Sequence, residues 1–451
     1  MNLKPNKSIL LWIDQSNLNE KEGLNKREHD KAESQKERNI NKTIIASMIG
    51  NSLEWFEYCI YGHFAGMIAL NFLPKNHWSN IMIWIIFASG FVIRPLGGII
   101  LGIIGDKYGR KSVLTISILA MALPTLGIGL LPTYERIGIL APLLLFLFRL
   151  IQGFSLGGEF SSCIIYLAES CQKSNRGLVG SLSFVSMCFG ILIGLSSYFM
   201  IFKFLLEDEI FSWGWRIPFV CGVGMGLVGM YMRSHLKESK VFEQMKLNRQ
   251  TVENPVKYAF SLFRKKLLLG MLLYMVVTSN FYMFGVYFSS FLKESFNLQP
   301  QISNLILSLG LVTMSVTMPI SGHLSDKFGR KKIMIIGLLS TIGVTCLYSL
   351  LLNDITNILL LQIGICISLG IYMGPIPATL VEIFPTNIRF TCVGLSYNIS
   401  AALFGGTIPI ISTYFIHHLG YANWIWFYLL TLDIVGLIAL ANYQESYKID
   451  L

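Results

Sequence analysis

The chain has 451 residues, of which 53% are hydrophobic and only 14% charged, with a formal net charge of +10 and a mean hydropathy of +0.56. That balance exceeds the needs of a soluble core and places the chain among membrane proteins. The eight cysteines lie in or beside apolar stretches with no CxxC spacing, and no Walker-type phosphate loop or nucleophile–base constellation is present. Disulfide scaffold, zinc site, cofactor site and enzyme are therefore all excluded as expectations.

In chain order, residues 1–42 carry nine Lys/Arg against seven Asp/Glu, with "ILLW" as their one short apolar run. This is not a signal peptide; a solvated tail on the cytoplasmic side is expected, without a nucleic-acid partner. A membrane span needs about 20 mainly apolar residues. Twelve fit, near 43–68, 81–104, 113–131, 139–165, 178–201, 214–232, 267–290, 302–323, 333–352, 358–380, 390–415 and 424–442. The expected fold is an all-α multi-pass membrane protein of twelve transmembrane helices in two six-helix halves, 43–232 and 267–442. A connector, 233–266, joins them, and a short tail, 443–451, follows.

With the N-terminus inside, 29 of the 36 Lys/Arg fall in cytoplasmic segments and five in outer loops, and two, Arg94 and Arg149, lie within spans. This follows the positive-inside rule and makes the net charge a matter of topology. Trp78, Trp213, Trp215, Trp424 and Trp426 gather at the opposite ends of their spans, as interfacial aromatics do.

Ionisable groups near the membrane centre cost about 2.5–3.5 kcal/mol each even on a lenient scale, so they mark function by default. Glu54 and Glu57 share one face of the first span with Tyr58 and Tyr61, and a shielded carboxylate pair suits a proton carrier; the alternative is a pair of structural carboxylates bonded to Arg94 or Arg149. Arg94 precedes "PLGG" in the second span and Arg149 opens "RLIQG" in the fourth; a guanidinium there can grip a carboxylate with two hydrogen bonds or pin a helix. Glu159 lies toward the cytoplasmic end of its span, where it is expected to reach water. Asp433 reads as a capped structural carboxylate and His63 as a core residue. Glycines four apart (Gly98/Gly102, Gly190/Gly194, Gly222/Gly226, Gly370/Gly374) allow close helix approach, and "GPIPATL" should break span ten.

"GDKYGRKS" at 105–112 recurs as "SDKFGRKK" at 325–332, each joining the second and third spans of a half. A second echo sets Glu169 and Arg176 seven apart after span four, and Glu382 and Arg389 seven apart after span ten. Parallel repeats of this kind place substrate between the halves near the midplane. Asp106 with Arg110 and Asp326 with Arg330 are expected to latch the cytoplasmic ends, with Glu169/Arg176 and Glu382/Arg389 as companion latches.

"GIIGDKYGRKSVL" and its second copy resemble the loop signature of the major facilitator superfamily. "GNSLEWFEYCIYGHFA", "FVIRPLGGIILGIIGDKYGRK", "RLIQGFSLGGEF", "WGWRIPF" and "EIFPTNIR" resemble its metabolite:proton symporter branch, over about residues 41–442. Glu57 stands where many members carry Asp. The chain ends about nine residues past its last span, so activation through a long coiled-coil tail is not expected. The resemblance implies proton-coupled symport by alternating access in a bacterial inner membrane, both termini cytoplasmic, the chain working as a monomer, and a part in proton coupling for Arg149. Two midplane arginines suit a carboxylate, and several acids with the aromatics Trp55, Phe56, Tyr58 and Tyr61 suit an ammonium, a combination that points to a zwitterion such as proline or glycine betaine. A dicarboxylate such as α-ketoglutarate is the alternative, favoured if Arg94 and Arg149 face one cavity; a transport-silent nutrient sensor is a third reading.

Overall fold

The computed structural model describes residues 44–74, 79–248, 252–352, 354–418 and 424–449. The charged tail 1–42 lies outside these, as do Lys75 and Trp78. Twelve long helices follow, numbered here in order. They are α1 (44–72), α2 (Ser79–Tyr108), α3 (Arg110–Leu130), α4 (Leu140–Ser170), α5 (Arg176–Phe204) and α6 (Arg216–Ser234). Then come α7 (Arg264–Phe296), α8 (Pro300–Phe328), α9 (Arg330–Leu351), α10 (Ile355–Ile383), α11 (Arg389–Phe415) and α12 (Trp424–Asn442).

Eleven of them are long and apolar enough to cross a membrane. The exception by hydropathy is α1, because it carries Glu54, Glu57, His63 and Asn71. It is nonetheless interior: Asn51 donates to the Ser183 carbonyl at 2.6 Å and to Ser186 Oγ at 2.7 Å on α5. Buried polar groups on a helix demand partners on its neighbours, and α5 supplies them.

The first six helices meet the last six along α2 against α11 and α5 against α8, and along α1 against α7, where Trp55 meets Phe281 edge-on at 5.2 Å. Small residues permit this approach: a side chain at Gly98 or Gly102 would strike Asn398 or Thr391 of α11. The expected break in span ten is present, since α10 stops at Met373 and resumes at Ile376. Two further irregularities lie in α7 and α11, whose middles widen into π-helical turns at Tyr282–Tyr287 and Ala401–Gly405.

The tryptophans require a correction. Trp213 and Trp424 are about half exposed, as interfacial residues should be, but Trp215 and Trp426 are fully buried. Trp215 packs edge-on against Phe72, and Trp426 joins Phe284 and Tyr348 in an aromatic cluster. Their area is spent on packing rather than on anchoring.

Candidate functional site

At mid-depth, Arg94 of α2 is fully buried where the two sets of helices meet. One terminal nitrogen stands 3.7 Å from Glu54 Oε1 of α1 and donates to the Tyr397 hydroxyl of α11. The other reaches the Tyr282 hydroxyl of α7 at 3.4 Å. The guanidinium lies 5.0 Å from the Tyr397 ring centroid and 5.8 Å from that of Phe91. The widened turn of α7 begins at Tyr282, and Gly405 in the widened turn of α11 leaves room for its ring. Both oxygens of Glu54 are buried without a hydrogen-bond donor among the described residues, a condition that costs about 1–3 kcal/mol per group. A proton or a cationic group of a bound solute would relieve it.

Glu57 belongs to a separate chain of contacts. Its Oε2 accepts from Gln152 at 2.7 Å, and Gln152 in turn accepts from Arg149 at 2.9 Å. The Arg149 guanidinium sits 3.8 Å from the Tyr61 ring centroid and 5.7 Å from that of Tyr58. Arg94 therefore faces tyrosines of the opposite set, whereas Arg149 is held by α1 and α4.

Glu159 does not reach water. It is 1% exposed, forms an ion pair with Arg233 at the end of α6 through both its oxygens, and accepts from Ser117. Arg233 also donates to the backbone of α1 and α3 at Ala46 and Leu114. The pair thus ties α1, α3, α4 and α6 together. Sequence reasoning counted Arg233 with the solvated connector and so left Glu159 without its partner. Asp433 is fully buried and capped at 2.8 Å by Asn280. Half-buried His63 bonds the Cys59 carbonyl at 2.9 Å and packs on Tyr198.

At the end of the molecule bearing the two octapeptides, each aspartate reaches across to the opposite set of helices. The amides of Phe390 and Thr391, at the start of α11, donate to Asp106 at 3.0 and 2.9 Å. The amides of Gly177 and Leu178, at the start of α5, donate to Asp326 at 2.8 and 3.0 Å. Each carboxylate thus occupies the positive end of a helix dipole. Gly109 and Gly329, with φ of 110° and 100°, turn the chain straight into α3 and α9, a backbone region open mainly to glycine.

The companion latches pair crosswise rather than seven residues apart. Glu169 accepts from Arg389 at 2.7 Å and from Arg110 at 3.3 Å. Glu382 binds Arg330 at 3.1 Å and lies 4.0 Å from Arg176, which donates to the Ile449 carbonyl at 2.7 Å. Swapping partners lets two identical local motifs bridge two bodies, a geometry that intrasegment spacing does not reveal.

A third echo escaped sequence reasoning. Glu238 and Ser239 follow α6, and Glu445 and Ser446 follow α12, within "HLKESK" and "NYQESY". Glu238 accepts from the Arg110 and Lys111 amides at 3.1 and 3.2 Å, and Glu445 from the Arg330 and Lys331 amides at 3.0 Å each. Ser239 and Ser446 donate to Glu169 and Glu382 respectively. Because Ser446 gives its proton to Glu382, the Tyr443 hydroxyl must donate to Ser446; burial pushes the pKa of Tyr443 up and keeps that donor intact. Among the described residues no group of three or more His, Cys, Asp or Glu is placed to hold a metal ion.

An enclosed charged core shared by two sets of long apolar helices, above a doubled latch, defines a multi-pass membrane transporter. Residues 42–253 match the sugar (and other) transporter family and residues 270–444 the Major Facilitator Superfamily. The chain is 32% identical over 412 residues to a putative proline/betaine transporter of Staphylococcus aureus (strain COL), covering 89% of this chain and 88% of the relative. It is 33% identical to the glycine betaine/proline/ectoine/pipecolic acid transporter OusA of Dickeya dadantii (88% and 82% covered). Among solved structures, the proton:xylose symporter XylE bound to 6-bromo-6-deoxy-D-glucose superposes with a TM-score of 0.74 at 16% identity, over 91% of this chain and 97% of that one. The inward-open xylose transporter XylE from E. coli gives 0.61 at 18% identity, over 90% and 97%. The chain belongs to the major facilitator superfamily. It is a solute transporter and not an enzyme.

Proposed function

We propose that the protein is a proton-coupled symporter of a small zwitterion of the proline or glycine betaine kind. It works as a monomer by alternating access between its halves, 43–232 and 267–442, in a bacterial inner membrane, with the octapeptide end and both termini cytoplasmic. The observation that carries this is the Arg94 site. A guanidinium able to grip a carboxylate stands beside a carboxylate with two vacant acceptors, within a wall of Phe91, Tyr282 and Tyr397 suited to a quaternary or secondary ammonium. The names of the relatives point the same way. A dicarboxylate is the less favoured solute, because Arg149 is already engaged by Gln152 and Tyr61 and the relatives' names point to zwitterions.

Glu54 or Glu57 carries the coupling proton in this reading, and the latch residues close the cytoplasmic side while solute enters from outside. Uptake of labelled proline, glycine betaine and α-ketoglutarate into proteoliposomes, with and without an imposed pH gradient, tests it. Gradient-dependent accumulation of the zwitterions is expected. Accumulation of α-ketoglutarate alone, or accumulation restored by ATP after the gradient is collapsed, overturns it.

A further inference from the structure

Four carboxylates lie deep between the latch and the far side, and three of them have a cation within reach. Glu54 has Arg94, Glu57 has Arg149 through Gln152, and Glu159 has Arg233. Asp433 on α12 has none among the described residues. It is fully buried, and so is Asn280 on α7, its one hydrogen-bond donor. The Asn280 amide is fully used, donating to Asp433 Oδ1 at 2.8 Å and to the Val276 carbonyl at 3.0 Å. Asp433 Oδ2 and Asn280 Oδ1 are then both left without a donor. Two buried vacant acceptors facing a site with no cation are the pattern of a missing proton, because an isolated charge at that depth neutralises itself rather than remain bare.

The surroundings agree. The neighbours of α12 are α7, α9 and the later part of α11. From α7 the facing polar group is Asn280. From α9, Leu338 lies against Gly436 one turn along, and neither α9 nor the described part of α11 brings an ionic partner. Tyr372 of α10 commits its hydroxyl to the Leu273 carbonyl at 2.8 Å.

We propose that Asp433 and Asn280 form a second protonation site, in the last six helices, that holds one proton while the transporter is closed. On opening, water reaches the pair, the carboxylic acid releases its proton to that water, and the carboxylate retakes one before closure. Asn280 sits two residues before Tyr282, the α7 partner of Arg94, so the state of Asp433 bears on the helix that bounds the solute site. The inference deepens the proposed proton coupling and rests on it for the idea of a cycle, but its first test does not.

Difference infrared spectroscopy of the full-length protein in lipid reads a buried carboxylic acid directly by its carbonyl-stretch band. Asp433→Asn should remove one such band, and Asp433→Glu, which keeps the acid if the asparagine variant fails to fold, should shift it. An unchanged spectrum in the folded variant overturns the site. Asp433→Asn should also flatten the pH dependence of solute exchange while exchange itself persists; an unaltered profile overturns the role in the cycle. If Asp433→Asn leaves band and profile intact while Glu54→Gln and Glu57→Gln abolish uphill uptake, the second site falls and the first reading stands. The reverse pattern retains Asp433 and removes span one from coupling.

Discussion

Arg389 of α11 places its guanidinium 2.7 Å from Glu169 of α4, joining two helices from opposite halves of the chain through a buried ion pair. The pair stands beside Arg110, so one carboxylate answers two cations. Removing a member of such a pair leaves an uncompensated buried charge and costs about 3–5 kcal/mol. Glu169→Gln should therefore open the octapeptide end strongly and suppress concentrative uptake. Labelling of single cysteines placed on the two faces measures this, and unchanged labelling would remove the latch role.

Asp106→Asn is milder. It keeps one acceptor oxygen for the helix amides opposite but loses the second bond and the charge, a loss of about 1 kcal/mol, roughly fivefold in the ratio of closed to open forms. For Asp106→Asn the same cysteine labelling should show a smaller shift than Glu169→Gln, with the protein still folded. Asp326→Asn should act more strongly, because it also breaks the buried ion pair to Arg330 at 2.7 Å.

Arg94→Lys should weaken solute binding, because one ammonium cannot span Tyr282, Tyr397 and a carboxylate together. Tyr397→Phe, keeping the ring and losing the hydroxyl, should destabilise the solute-free protein by about 1–3 kcal/mol through the bond it strands on Arg94. Binding titrations with glycine betaine on the purified protein test the first, and earlier thermal unfolding in detergent without solute tests the second.

Glu57→Gln, which keeps shape but cannot titrate, should spare solute exchange while preventing uphill uptake, since exchange moves no net proton. The parallel Glu54→Gln identifies which carboxylate matters. If both variants still concentrate solute against a gradient, span one does not carry the proton.

Glu159→Gln should act on stability instead. It strands Arg233, so about 3–5 kcal/mol is lost and thermal unfolding in detergent occurs earlier. Whatever folds should transport with the same proton-to-solute ratio as the parent. A changed ratio would return Glu159 to the coupling machinery.

The long helices were legible because a bilayer asks for one property over about 20 residues, and even α1, diluted by its acids, could be read from its length. The latch was legible as far as it repeats in sequence: Asp106 and Asp326 announce themselves through twin octapeptides. The exchange of partners between Glu169 and Glu382 was not, since either arginine is an equal candidate until the two sets are placed together. Glu159 was misread because its cation lies 74 residues away in a segment that looks solvated. Tyr282 and Tyr397 carried no mark at all among 19 tyrosines. The Glu-Ser echo was present as text, but two residues are too short a repeat to notice before their contacts are known.

The widened turns of α7 and α11 carry a mechanical consequence. A π turn holds one residue more than the α-helical turn it replaces. Rewinding it would rotate everything beyond it by roughly 100° about the helix axis. Tyr282 opens one such turn, and Tyr397 lies one helical turn ahead of the other. The hydroxyls that hold Arg94 are therefore mounted at or one turn ahead of these stretches, where a local change of winding would re-aim them without a tilt of either six-helix body.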